Sequence, residues 1–260
     1  MELIRNENDK YSEYENLLLE RDQYRKEAGQ IWTAYTQTFG QLITDVYQEK
    51  LECIKRKKTI AYYQAALNRG GAVDADAMQE YLAQEMAVYY AKLKNMISDN
   101  ERCRDAKISS PYEVQRSKIL YRRLAKLLHP DIHPETDQRK DLMELWERIQ
   151  TAYAHNDVKS LSELEVLARK ALAESGGNAA RAEVPDIEER IEAVKAEIDD
   201  ILHSEPYTYG ALLENGEAVA QKKAALSKEL EEYRKYREEL ENVIDSILEG
   251  GGITLQWRMN

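Results

Sequence analysis

The sequence has few of the residues that interrupt helices or crosslink a fold. Its 260 residues include five prolines, 11 glycines, one phenylalanine and two cysteines. The cysteines, Cys53 and Cys103, are far apart and form no CxxC pair. A zinc ribbon or a disulfide framework is therefore not expected. Because isolated thiols are typical of a reducing compartment, we predict a cytoplasmic location.

Long apolar stretches are missing as well. No run approaches the ~20 apolar residues that a membrane-spanning helix needs, and the first residues lack the basic start and apolar core of a signal peptide. The net charge is −11, from 37 Lys and Arg against 48 Asp and Glu. Since nucleic-acid binding depends on clustered cations, no nucleic-acid partner is predicted. The lack of a long apolar run likewise predicts no membrane partner.

Motifs of catalysis are also missing. The sequence contains no GxSxG motif and no Gly-rich phosphate loop, and paired carboxylates on charged helical faces usually serve solubility. We therefore predict that the protein is not an enzyme and has no cofactor.

What is abundant points to helices. Charged residues make up 33% of the chain and hydrophobic residues 43%, a balance that with few Gly and Pro is typical of long amphipathic helices. The sequence thus predicts an all-α fold. Two Gly-containing stretches, Gly70-Gly71 and residues 176–185, divide it into three helical parts.

The outer parts carry apolar residues at helical spacing. Residues 1–107 are predicted to form a long helical hairpin with its turn near residues 70–75. After a linker at residues 176–185, residues 186–249 show a heptad-like seam and are predicted to form an antiparallel coiled coil. Residues 250–260 form an apolar tail, either a docked strand or a partner-binding peptide. The coiled coils could also pair between chains, which would give a homodimer.

The middle part, residues 108–175, reverses the local charge. Residues 115–128 contain no carboxylate and five cations: Arg116, Lys118, Arg122, Arg123 and Lys126. An apolar stripe follows the same helix, which must end at His129-Pro130-Asp131 because proline disfavours helix in the residue before it. A second amphipathic helix follows a polar loop. Two such helices joined by a short loop bury their stripes by packing antiparallel.

These two blocks resemble the J-domain (DnaJ) family. The second helix of that family typically reads Tyr-Arg-Lys-Leu-Ala, then three residues, then His-Pro-Asp. This chain has the same order in Tyr121-Arg122-Arg123-Leu124-Ala125 and His129-Pro130-Asp131. The third helix of the family has an aromatic residue, an Ile and then Ala-Tyr, matched here by Trp146, Ile149, Ala152 and Tyr153. The resemblance covers about residues 113–155.

The resemblance implies a co-chaperone that binds a DnaK-type chaperone, stimulates its ATP hydrolysis and selects client proteins through its coiled-coil arms. The implied chaperone-binding residues are His129, Pro130, Asp131, Arg122, Arg123 and Lys126. The implied core of the hairpin consists of Tyr121, Leu124, Ala125, Trp146, Ile149, Ala152 and Tyr153.

The chain departs from the family pattern before Tyr121, where no Tyr-x-x-Leu-Gly helix is found. We expect the helix from Met78 to Arg104 to replace that first helix. Leu128 and Ile132 also stand where the family usually has an aromatic residue and a cation.

Plainer interpretations stay open. His129-Pro130-Asp131 could be an ordinary helix stop, and the basic face could be a solvated surface. His129 and His133 could suggest a metal site, but Pro130 breaks their spacing and no carboxylate pair completes a shell, so no metal is predicted. The alternative function is a structural or adaptor coiled-coil protein with an inactive J-like hairpin.

Overall fold

The computed structural model describes residues 2–106, 109–174 and 186–256. Almost all of this part is helical, which confirms the predicted all-α class. None of its helices is both long enough and apolar enough to cross a bilayer. In chain order the elements are α1 (Glu2–Tyr35), a π-helical segment (Thr36–Gly40), α2 (Gln41–Leu67), β1 (Ala72–Asp74), α3 (Ala75–Arg104), α4 (Pro111–Leu128), α5 (Glu135–Gln138), α6 (Lys140–Ala154), α7 (Val158–Glu174), α8 (Ile187–His203), α9 (Tyr209–Glu214), α10 (Gly216–Glu249) and β2 (Thr254–Gln256).

The chain folds into two compact units. The first contains Met1–Trp32 and Lys107–Tyr209, and the second contains Thr33–Ala106 and Gly210–Asn260. Each unit combines segments that are distant in sequence. This division differs from the prediction, in which residues 1–107 and 186–249 formed two separate hairpins. The predicted linker at 176–185 lies outside the described residues.

Helices α4, α6 and α7 form the main core of the first unit. Leucines dominate their shared cluster, and four of them have no exposed surface: Leu124, Leu128, Leu142 and Leu161. Apolar burial on this scale contributes about 1.5–3 kcal/mol for each large side chain. Three helices that share one core hold the residues of α4 in fixed positions.

Helix α8 belongs to the first unit, not to a coiled coil with α10. Its Ile191 and Val194 are buried in a cluster with Tyr11, Tyr14 and Leu18 of α1. The predicted pairing of α8 with α10 is therefore corrected. An apolar seam shows that a helix needs a partner, but it does not specify which of several similar seams will cover it.

The second unit packs α10 and α3 against α2. Gly70 and Gly71, with φ of 106° and 81°, lie between α2 and α3 at the predicted turn. Part of the tail is a docked strand, since β2 pairs in parallel with β1 and Thr254 faces Ala72. Trp257, also in the predicted tail, lies outside the described residues.

Candidate functional site

Helix α4 begins at a strong N-terminal cap. The Ser110 hydroxyl accepts a hydrogen bond from the Glu113 N–H at 3.2 Å, and the Glu113 carboxylate accepts one from the Ser110 N–H at 2.7 Å. This reciprocal arrangement is a capping box, and Pro111 at the first helical position has no N–H to satisfy. The start of the basic helix is therefore fixed by local sequence.

Helix α4 ends at Leu128, directly before the tripeptide that the sequence singles out. His129 has φ of −61° and ψ of 122°, the extended conformation that a following proline favours. The N–H groups of Ile132 and His133 donate to the His129 carbonyl at 2.9 and 2.8 Å. The chain therefore turns immediately after α4. We call His129-Pro130-Asp131 the tip.

Aromatic contacts show in which direction α6 runs relative to α4. Tyr121 stacks on Tyr153, with ring centroids 3.9 Å apart and planes 8° apart. His129 lies 4.9 Å from Trp146, which is earlier in α6. Since later positions of α4 meet earlier positions of α6, the two helices run antiparallel. All seven residues assigned to the hairpin core from the sequence lie in one buried cluster: Tyr121, Leu124, Ala125, Trp146, Ile149, Ala152 and Tyr153.

The third helix of this core is α7. Its Leu161, Leu164 and Ala168 are buried in the same cluster as the α4 and α6 residues. The expectation that Met78 to Arg104 fills this place is wrong, because α3 lies in the second unit and packs against α2. The sequence of α7 has its own amphipathic stripe, which is why it can cover the hairpin from the C-terminal side.

Helix α1 contacts the tip through two adjacent side chains. Both terminal nitrogens of Arg21 donate to one oxygen of Asp131, each at 3.3 Å. Asp22 accepts a hydrogen bond from the Tyr121 hydroxyl at 2.6 Å, and its same oxygen lies 3.4 Å from Nε2 of His129. One turn of α1 thus contacts the first and last residues of the tip.

The hydrogen bonds of His129 fix its tautomer. Its Nδ1 accepts the backbone N–H of Asp131 at 3.1 Å, so in the neutral ring the hydrogen sits on Nε2. That hydrogen faces the Asp22 carboxylate. His129 is 3% exposed, so its buried ring stabilises the turn of the tip through the hydrogen bond from the Asp131 N–H.

Asp22 is charged despite its burial. Burial alone would raise the pKa of its carboxyl group, but hydrogen bonds from His129 and the Tyr121 hydroxyl, together with the charge of the Arg21 guanidinium, outweigh burial and lower the pKa. Arg21 is likewise surrounded by three carboxylates, those of Asp22, Asp131 and Glu197. The ion pairs below the tip are thus a network and not an isolated pair.

The basic face of α4 is partly open to solvent. Arg122 and Arg123 are exposed, and among the described residues no carboxylate forms an ion pair with either. Lys126 differs, because its ammonium lies 2.6 Å from the Glu15 carboxylate of α1. Among the described side chains, helix α1 therefore pairs with Lys126 and with neither Arg122 nor Arg123.

A second contact of α1 lies at the far end of the hairpin. The Lys26 ammonium lies 3.7 Å from the centre of the Tyr153 ring and donates to Ser117 Oγ at 3.1 Å and Asn156 Oδ1 at 2.5 Å. Burial lowers the pKa of Lys26 to about 8. Burial also raises the pKa of Tyr153 to about 12. Lys26 therefore titrates at a lower pH than an ordinary lysine.

The described residues contain no cluster suited to a metal ion. In residues 2–106, 109–174 and 186–256, no three His, Cys, Asp or Glu side chains are arranged to hold a metal ion. His133 donates its Nε2 hydrogen to the Lys126 carbonyl, at 2.9 Å, at the end of α4. Cys53 and Cys103 are buried and free.

The chain matches no family model, no curated protein and no solved structure.

Sequence reasoning missed the α1 residues of the site. Arg21, Asp22 and Glu15 are three of many charged residues on a long helix, and nothing in their spacing separates them from a solvated face. The one available signal is Arg21-Asp22 inside an apolar stripe that includes Leu18 and Leu19, since charged residues there must be paired.

Proposed function

We propose that this protein is a J-domain-like co-chaperone that binds a DnaK-type chaperone and stimulates its ATP hydrolysis. The tip and the basic face of α4 would form the binding surface. The observation that carries the proposal is the tip itself, at the turn of an antiparallel hairpin whose two helices both match the family pattern in register.

The charges support this proposal. Arg122 and Arg123 are exposed on a chain of net charge −11. Such a local cationic face, together with Lys126, would steer the encounter with an acidic surface of the chaperone. Because the steering cations project from one helix, they would also set the orientation of the hairpin.

The tip residues would have separate roles. Asp131 would pair with a cation of the chaperone, and its side chain is 41% exposed. Pro130 restricts the backbone of the tip. His129 accepts the Asp131 N–H, an arrangement that would hold Asp131 in place. The effect on hydrolysis would be allosteric, because binding one chaperone state better shifts the chaperone toward that state.

The remaining helices would serve client or partner selection. Helices α2, α3 and α10 of the second unit contain exposed apolar side chains, among them Val88, Ile97 and Val243. Pairing between chains along such helices would give a homodimer.

A second candidate function is a structural or adaptor protein with an inactive hairpin. The observation that favours it is the contact of α1 with the tip, since Asp131 already forms an ion pair with Arg21 and His129 is buried. This candidate predicts no effect on any chaperone.

Single-turnover ATP hydrolysis by the host's DnaK-type chaperone separates the two functions. The full chain, added up to saturation, should accelerate hydrolysis. Asp131→Asn should weaken the effect about 10- to 100-fold at subsaturating concentration, as expected for loss of a charged hydrogen-bond partner. Asp137→Asn is the matched control, because Asp137 is exposed on α5 and should leave the acceleration unchanged. Absence of acceleration, or equal effects of both variants, would favour the adaptor.

A further inference from the structure

Helix α1 covers parts of the surface that the proposed function assigns to the chaperone. We propose that α1 is an intramolecular cap that competes with the chaperone for Asp131 and Lys126, so that the co-chaperone is latent until the cap opens. This inference rests on the proposed function and adds a means of regulation to it.

The cap supplies the chemistry that the chaperone would supply. Arg21 places two N–H donors 3.3 Å from one oxygen of Asp131, as a cation of the chaperone would have to do. Glu15 places a carboxylate 2.6 Å from the Lys126 ammonium, as an acidic surface of the chaperone would. Both signs of charge are therefore matched by the same helix.

Burial next to the tip reinforces the competition. Ile132, the residue after Asp131, is 2% exposed and lies in the cluster formed by Tyr14 and Leu18 of α1 with Ile191 of α8. A partner cannot contact Ile132 without moving these side chains. The cap thus has an apolar anchor beside its ionic contacts.

The ionic contacts can be exchanged at modest cost. If a cation of the chaperone pairs with Asp131, the Arg21 guanidinium still has two ion pairs. Its nitrogens lie 3.2 Å from a carboxylate oxygen of Asp22 and 3.5 Å from one of Glu197. It is then not left as a buried, uncompensated charge, which is the expensive outcome of breaking a buried pair. The carboxylates of Asp22 and Glu197 therefore make the contact of Arg21 with Asp131 replaceable.

The test compares apparent affinities of full-length variants for the ATP-bound chaperone. If only a fraction of the molecules has an open cap, the apparent affinity equals the affinity of the open form multiplied by that fraction. Arg21→Gln removes the contact with Asp131 and should tighten binding about 10- to 100-fold, the range for one charge-assisted hydrogen-bonded contact. Adding Asp131→Asn to Arg21→Gln should abolish the gain, because the chaperone then has no Asp131 to bind.

Arg56→Gln is the matched control. Arg56 is also a largely buried arginine paired with two carboxylates, Glu52 and Glu241, but it lies in the second unit. It should leave the affinity unchanged. If Arg21→Gln loses its helical circular dichroism, Glu15→Gln takes its place, since it frees Lys126 and should tighten binding about 2- to 5-fold.

The outcomes separate the two proposals. Binding by the unaltered chain with no gain in Arg21→Gln or Glu15→Gln overturns the cap and leaves the co-chaperone function intact. An equal gain in Arg56→Gln also overturns the cap, because the effect would then reflect general loosening. Failure of every variant to bind overturns the proposed function and the cap with it.

Discussion

The lowered pKa of Lys26 predicts an unusual dependence of stability on pH. The pKa is about 8 in the folded chain against an ordinary value of 10.5. Between these values the unfolded chain binds more protons than the folded chain, so the free energy of unfolding should rise with pH. The cause is burial of the ammonium beside Tyr153, where the uncharged amine is easier to accommodate.

The magnitude follows from the difference between the two pKa values. At full burial it would correspond to about 3 kcal/mol. Because part of the Lys26 side chain remains in contact with water, solvent screening reduces the expected gain to about 1–2 kcal/mol. Lys26→Met keeps a similar length and removes the titrating group. The free energy of unfolding of the unaltered chain, minus that of the variant, should thus rise by this amount between pH 8 and 10.5.

Urea unfolding followed by Trp146 fluorescence measures this difference in the first unit. Trp32→Phe and Trp257→Phe, introduced both with Lys26 and with Lys26→Met, leave Trp146, which is 2% exposed, as the sole tryptophan reporter. Subtracting the free energies of unfolding of these two proteins at each pH cancels the effect of the other ionising lysines and tyrosines. A difference that stays constant or falls with pH would refute the account of Lys26.

Further predictions concern the core, the basic face and the docked tail. Leu164→Ala should lower the stability of the first unit by about 2–4 kcal/mol in the Trp146 assay, because α7 completes the core of the hairpin. Arg122→Ala with Arg123→Ala should slow association with the chaperone and flatten its dependence on salt, as measured by stopped-flow fluorescence. Gly71→Ala should speed hydrogen exchange at the Thr254 amide, which donates to the Gly71 carbonyl at 2.8 Å, since the new Cβ would lie 1.9 Å from a facing carbonyl oxygen. Unchanged values in the respective assays would contradict these three expectations.

Local sequence specified much of the hairpin. The capping box at Ser110, the stop at Pro130 and the apolar stripes on both helices are encoded within a few residues of each other. The all-α class followed from composition in the same way. These features depend on periodicity and capping, which can be read along the chain without knowledge of distant contacts.

Contacts between distant segments were not encoded in this way. Arg21 and Asp131 are 110 residues apart. From the sequence alone, Asp131 could equally have been paired with any other basic residue of α1. The pairing of α8 with α1 was missed because α10 offers an apolar seam of the same kind. Selection among equivalent seams depends on the packing of whole helices, for which a single sequence carries no local signal.

Photo-crosslinking from the basic face tests the central claim most directly. A benzoylphenylalanine at position 123 of the full chain should give an adduct with the ATP-bound DnaK-type chaperone, and His129→Gln should reduce it. The same crosslinker at Val166, which is 67% exposed on α7, is the control and should give little adduct. Strong adducts from position 166 with none from position 123 would contradict docking through α4 and its tip.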